Sequence, residues 1–232
     1  MGNFWFDLKY VIKHPSYVIQ YLNREAIIAS LMNVSKAYVH HYLREYKHVN
    51  ADIEERLKRL PYLGQMDRRK NEVLYCLIRL AKPKVVVETS VGACVSSTVI
   101  LRGLEKNGEG RLYSVDAGLK SFDGISLPED KPIGFLVPED LRERWTLILG
   151  FSREVLPSLL DKLKIIDFFF HDSEHTYQNM KFEYTVATKH LSAGGILVSD
   201  DVEWNSAFDD FCGTTKVQWA KLYTLGILRK FR

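Results

Sequence analysis

The chain has 232 residues, of which 46% are apolar and 26% charged, with 32 Lys and Arg against 29 Asp and Glu. That is enough chain to bury a substantial core in one domain with an extension, and the balance argues against disorder and fibrous repeats. The net charge of +3 is too small to imply a nucleic-acid partner, and no apolar run approaches the roughly 18 residues of a membrane span. Three cysteines, Cys76, Cys94 and Cys212, are odd in number and far apart, which speaks against a disulfide framework or a zinc cluster. The first residues, MGNFWFDLKYVIKHP, carry charges and lack the apolar stretch of a signal peptide. The expectation is a cytoplasmic globular protein.

Residues 1–83 hold 14 of the basic residues and only 8 of the acidic ones, together with 8 of the 12 tyrosines. Their positive charges are scattered, as on the solvated face of a helical extension. Apolar residues at Val18, Ile19, Leu22, Ile27, Ile28 and Leu31 recur at helical spacing over Ser16–Met32. Ser35–Tyr46 and Ala51–Leu60 read as two further helices. Asp67 is a good N-cap for a helix through Ala81, which Pro83 closes.

The texture then changes. Lys84–Glu88 is a short β-branched strand, followed by a turn of small residues and a helix over Ser96–Lys106. Arg111–Asp116 is a second strand. Residues Ala117–Pro138 hold three prolines and three glycines, a loop long enough to be functional. Trp145–Leu149, Ile165–His171 and Gly194–Asp201 are further strands, with helices over Ser152–Leu163, Tyr177–Leu191 and Trp204–Phe211. Lys216–Ala220 and Leu225–Lys230 form a closing hairpin. This alternation predicts an α/β fold, a doubly wound and mostly parallel seven-stranded sheet with an N-terminal helical extension. The boundary falls between a helical cap (1–83) and a ligand-binding core (84–232).

Ligands of such sheets bind at the carboxyl ends of the strands. Those ends read Glu88, Asp116, Gly150–Ser152, His171–Asp172 and Asp200–Asp201. The first turn, Ser90–Cys94, contains only Gly92 and is no GxGxxG, so a nicotinamide dehydrogenase is disfavoured. An acid at Glu88 suits a ligand with a cationic amine. Asp116, 28 residues further on, stands where a ribose-binding acid is expected.

Five stretches, VVVETSVGACVSS (85–97), LYSVDAG (112–118), LILGFSREVLPSLL (147–160), IDFFFHDSEHTY (166–177) and LSAGGILVSDDVEWN (191–205), resemble class I S-adenosylmethionine-dependent methyltransferases. The resemblance is to their small O-methyltransferase-like branch, methyltransferase family 24. It implies S-adenosylmethionine as cofactor, with Glu88 on the methionine side and Ser90, Gly92 and Cys94 in the loop beneath. It also places Asp116 on the ribose hydroxyls, Ala117, Phe151 and Ser152 beside the adenine, and Asp172 at the cofactor's reactive end. Ser90 and Cys94 stand where relatives carry glycine, and Phe151 where many carry an acid.

Asp172, Asp200 and Asp201 gather at one sheet edge, and three clustered carboxylates repel unless protonated or neutralised by a cation. Oxygen ligands favour Mg²⁺ or a similar divalent ion. The metal-dependent catechol, caffeoyl-CoA and macrolide-sugar O-methyltransferases that the chain resembles bind an ion at corresponding positions. The competing reading is that Asp200 and Asp201 cap a strand and a helix without metal. His175 is the candidate base, because an imidazole titrates near neutral pH, and Asp172 is its catalytic neighbour. His171 reads as a structural residue beneath the site.

The function expected is methyl transfer from S-adenosylmethionine to a hydroxyl oxygen of a small metabolite, with divalent-metal assistance. The alternative is a non-catalytic binding or regulatory protein on the same fold, which Ser90, Cys94 and Phe151 favour. Hydroxylation, as in cephalosporin-hydroxylase-like relatives, is a weaker third. Expected partners are a small-molecule substrate and a second copy of the chain, through the N-terminal helices.

Overall fold

A computed structural model describes residues 15–58, 60, 62–119, 121, 122 and 125–231. The first residues, read above for a signal peptide, lie outside them. Three helices come first: α1 (Pro15–Met32), α2 (Lys36–Leu57) and α3 (Arg68–Ala81). The sequence suggests two helices where α2 is one. Asn50 lies at the expected break, but its amide is satisfied along the helix. It accepts from the Tyr46 hydroxyl at 3.2 Å and donates to Glu54 at 2.6 Å. With no Gly or Pro near it, and with Val49 and Ile53 continuing the buried stripe of Val39, Leu43 and Tyr46, nothing stops the helix. Asp67 caps α3 as expected, accepting from the amides of Arg69 and Lys70.

The core elements follow as β1 (Val85–Thr89), α4 (Val95–Asn107), β2 (Arg111–Asp116), the small ribbon β3 (Ser121–Phe122) and β4 (Ile125–Ser126), and a 3-10 turn at Glu139–Arg144. Then come β5 (Trp145–Leu149), α5 (Ser152–Leu163), β6 (Ile166–His171), α6 (Tyr177–His190), β7 (Leu191–Ser199), α7 (Ala207–Thr214), β8 (Val217–Leu222) and β9 (Leu225–Lys230). The seven-stranded sheet runs β5-β2-β1-β6-β7-β9-β8. Its first five strands are parallel, and β9 is antiparallel to both neighbours. β7 starts three residues earlier than expected. Its glycines lie inside the strand, where the pairing with β6 shifts register between Ile166 and Phe168.

Both sheet faces are covered, which explains the apolar runs Val85–Val87 of β1 and Phe168–Phe170 of β6. Val86, Phe168 and Phe170 pack under α1–α4, whereas Val87 and Phe169 pack under α5–α7. Chain order reverses between β1 and β6. The register pairs Thr89 with His171 and His171 with Ser199, so the residues just beyond these strands meet at one edge.

Candidate active site

The turn after β1 is built on residues in the left-handed region. Ser90 has φ 70° and Cys94 φ 74°, conformations that cost a side-chain-bearing residue about 1–2 kcal/mol each. Glycine adopts this region without that cost. Backbone hydrogen bonds offset the strain: Ser90 donates to the Val115 carbonyl and Cys94 to that of Val91, both at 2.7 Å. Cys94 is fully buried, which pushes its thiol pKa well up, so it is no nucleophile.

Asp116 closes over this turn. One carboxylate oxygen accepts from the amides of Val91 (2.8 Å) and Gly92 (3.2 Å), and the other from that of Gly118 (2.7 Å). A carboxylate has about four acceptor positions, so little capacity remains for two ribose hydroxyls while the turn is clasped. Beside Asp116, Ala117 is exposed, and the Gly150 amide donates to the Asp116 carbonyl at 2.8 Å. Leu119, Leu149 and Phe151 are half or more exposed here, an apolar ledge at the ends of β2 and β5. Ser152, expected on that ledge, instead contributes a hydrogen bond to buried Glu183.

Glu88 is not at the surface. It is wholly buried between β1, β2 and α4; one oxygen accepts from the hydroxyls of Ser97 and Ser114, and the other has no partner among the described residues. Burial raises its pKa to about 7, against the two serine hydrogen bonds. Direct contact between Glu88 and a ligand amine does not fit this placement.

At the β6 end, His171 is buried, with Nδ1 2.7 Å from Glu183. Glu183 also accepts from Thr89 (2.5 Å), Ser173 (2.7 Å) and Asn179 (3.2 Å), tying β1, β6 and α6 together under the site. Burial opposes its charge, but His171 and then the hydroxyl donors bring its pKa down to about 2. His175 stands above, its ring 5.4 Å from that of His171 and 5.1 Å from that of Trp204. Its Nε2 is 3.9 Å from an Asp172 oxygen and has no hydrogen-bond partner among the described residues. Burial first, and His171 second, lower its pKa to about 4. It is therefore a neutral imidazole at physiological pH. Burial, with the Asp200 carboxylate next, pushes the Asp172 carboxyl well above the usual range.

The metal reading of Asp172, Asp200 and Asp201 does not fit the arrangement. Among the described residues no group of three potential ligands could hold an ion. The Lys70 ammonium, delivered by α3, lies 2.7 Å from both oxygens of Asp200 and 3.3 Å from one of Asp201. Burial works against that charge, yet Asp200 and then Asp201 outweigh it and raise the Lys70 pKa. Lys70 and Glu183 are the two residues that motif reading misses. Each is an ionisable residue on the apolar stripe of a helix, Lys70 one turn before Leu74 and Glu183 among Met180, Tyr184 and Ala187.

Residues 87–202 match the family described as "Methyltransferase domain". No curated protein sequence matches the chain. Among solved structures, an O-methyltransferase from Bacillus cereus in complex with SAH shares 16% identity at a TM-score of 0.58, over 89% of this chain and 96% of that one. TomG, an O-methyltransferase of tomaymycin synthesis from Streptomyces achromogenes in complex with SAM, shares 16% at 0.57, over 90% and 96%. An SAH-bound methyltransferase from Podospora anserina shares 16% at 0.53, over 78% and 86%. At these identities the structures speak for the fold, and the family match, spanning half of the chain, speaks for the kinship: the chain belongs to the class I methyltransferases.

Proposed function

We propose that the chain transfers a methyl group from S-adenosylmethionine to a hydroxyl oxygen of a small metabolite. The observation that carries this reading is the convergence of two sets of groups on the edge where chain order reverses. One set is Asp116 with the 90–94 turn and the apolar ledge of Leu119, Leu149 and Phe151, suited to a ribose and an adenine. The other is Asp172 and His175, one strand away. The solved relatives from Bacillus cereus and Streptomyces achromogenes hold SAH or SAM on the same fold.

S-adenosylmethionine, when bound, supplies an electrophilic methyl group on a sulfonium. The chain's own residues then have three tasks. Asp116 offers its remaining acceptor position to one ribose hydroxyl, and the turn it clasps carries the nucleoside. Asp172, at the end of β6, orients the acceptor hydroxyl. His175, neutral and with a ring nitrogen free of hydrogen bonds, takes the hydroxyl proton as the oxygen attacks, and Asp201 favours the imidazolium that results. Alignment of the reacting atoms provides most of the acceleration. Glu88 acts from beneath, shaping the turn rather than touching ligand.

The strained, clasped turn supports a second reading, in which the fold binds ligand without turnover. The two are separated by calorimetry with S-adenosylhomocysteine followed by methyl transfer from labelled S-adenosylmethionine across hydroxyl compounds. Asp116→Ala should weaken S-adenosylhomocysteine binding by about 1.5–3 kcal/mol, the cost of hydrogen bonds to a charged acceptor. Equal affinity for both proteins removes the ribose role, and binding without transfer across the panel favours the second reading.

A further inference from the structure

We propose that Lys70 is the built-in cation of this site, replacing the divalent ion that the Asp172, Asp200 and Asp201 cluster would otherwise require. The inference rests on the methyl-transfer reading for its mechanistic meaning, but not for its geometry. The Lys70 ammonium has three N–H donors, and three carboxylate oxygens lie within reach: both of Asp200 at 2.7 Å and one of Asp201 at 3.3 Å. The remaining donors at these acids come from the chain as well. The Asp201 amide reaches Asp200 at 2.8 Å, and the Thr224 hydroxyl lies 3.3 Å from Asp200 and 3.1 Å from Asp201. Asp200 is thus saturated before any ion arrives, and its side chain is 5% exposed.

A Mg²⁺-like ion needs oxygens at about 2.0–2.1 Å in an octahedron. The ammonium occupies the place between the Asp200 oxygens from which such an ion would draw its ligands. It is also not an exchangeable occupant. Lys70 lies in the first turn of α3, where its amide donates to the Asp67 cap at 3.1 Å. The same turn is held by Asn71, whose side chain donates to the Met66 carbonyl at 2.8 Å. The residues beyond it, Val73 to Ile78, are all buried.

The consequence for the reaction is specific. An ion can coordinate the acceptor oxygen and lower its pKa, but an ammonium whose donors point at carboxylates cannot. Lys70 is therefore a positioning residue. It pairs with Asp200 and Asp201 and fixes them in place, while the exposed parts of Asp172 and Asp201 face the substrate and deprotonation falls to His175. Such a site suits an acceptor that needs no metal chelation, such as an isolated hydroxyl, over a vicinal pair.

The test is Mn²⁺ binding, followed by electron paramagnetic resonance, to wild type and to Lys70→Ala. Wild type should bind no Mn²⁺ at these carboxylates. Lys70→Ala should bind one equivalent at least about tenfold more tightly, as expected for removing a unit charge from beside the ion, and adding Asp200→Asn should abolish that site. A merely structural lysine would leave Mn²⁺ binding unchanged, so a folded Lys70→Ala protein that binds no ion overturns the proposal. If that variant does not fold, Lys70→Met, which keeps the stem packed, takes its place with the same expectation. The wild-type arm decides independently: Mn²⁺ bound by wild type and lost in Asp200→Asn overturns the proposal. Failure of S-adenosylhomocysteine to bind would count against the methyl-transfer reading and leave the Mn²⁺ result standing.

Discussion

Glu88 gives the sharpest quantitative expectation. Its carboxyl is wholly buried, one oxygen has no partner among the described residues, and burial raises its pKa from 4.5 to about 7. For an acid with a raised folded pKa, the stabilising contribution is complete below the unfolded value and lost as pH rises through the folded value. The window here runs from about pH 4.5 to about pH 7, and a shift of this size is worth about 3 kcal/mol. Glu88→Gln keeps the shape and the acceptor for Ser97 and Ser114 but cannot ionise. Near pH 5 the two proteins should have similar stability. Near pH 8.5 the variant should be the more stable by up to about 3 kcal/mol, or roughly 6–12 °C in melting temperature for a chain of this size. His175 titrates in the opposite sense, losing stability as pH falls through about 4, but it is common to both proteins and cancels in the comparison. Urea unfolding of the pair at the two pH values measures the difference. A gap that does not change with pH would refute the reasoning and mean that Glu88 is solvated or paired.

Two further outcomes follow from the site. Asp116→Asn should release the Val91 and Gly92 amides, speeding their hydrogen exchange by roughly 10–100-fold, the loss of a bond to a charged acceptor. Unchanged exchange would mean that the turn holds itself. His175→Ala should lower kcat by roughly 10²–10⁴-fold without altering S-adenosylhomocysteine affinity. Because the imidazole stays neutral down to about pH 4, kcat/KM in wild type should show no acid limb near pH 6.5; a limb there that vanishes in the variant would show that the ring is solvated.

Much of this architecture was legible because burial on two faces leaves a plain mark. The runs VVV and FFF, short and bounded by turn residues, read as strands covered from both sides, and the capping aspartate of α3 announced its helix. Local ambiguity caused the misses. The gap between Ser35–Tyr46 and Ala51–Leu60 closes only once the i±4 partners of Asn50 are known, and the strand expected from Gly194 is seen to begin at Leu191 only through its shifted pairing with β6. At the site, strand ends were legible as positions but not as orientations. Alternation along β1 puts Glu88 on the same face as Val86, under α4, and so away from any ligand. Lys70 was out of reach for another reason. It is 130 residues from Asp200 in sequence, and no motif spacing links a helix of the extension to the end of β7.

That long-range pair bears on how residues 1–83 relate to the rest. Side chains of α1 and α2, among them Ile28, Leu31, Met32, Val39, Leu43, Tyr46 and Ile53, share one cluster with Val86, Phe168, Phe170 and Ile227 of the sheet. Burial of each stabilises by about 1.5–3 kcal/mol. Polar ties add to this: Arg229 donates to the Leu31 carbonyl at 2.8 Å, and the Tyr223 amide to Gln20 at 2.5 Å. Between α2 and α3 Tyr62 is exposed, while Leu63 and Met66 beside it are buried in the core. A protease should nick this connection first. If the extension is an integral part of the fold, the nicked fragments co-elute on gel filtration and unfold in one transition, and the Lys70 pair survives because α3 lies beyond the cut. A fragment lost on nicking, with a core that stays folded and soluble, would show instead that α1 and α2 are a dispensable cover, and the sheet face beneath them would need another explanation for its apolar surface.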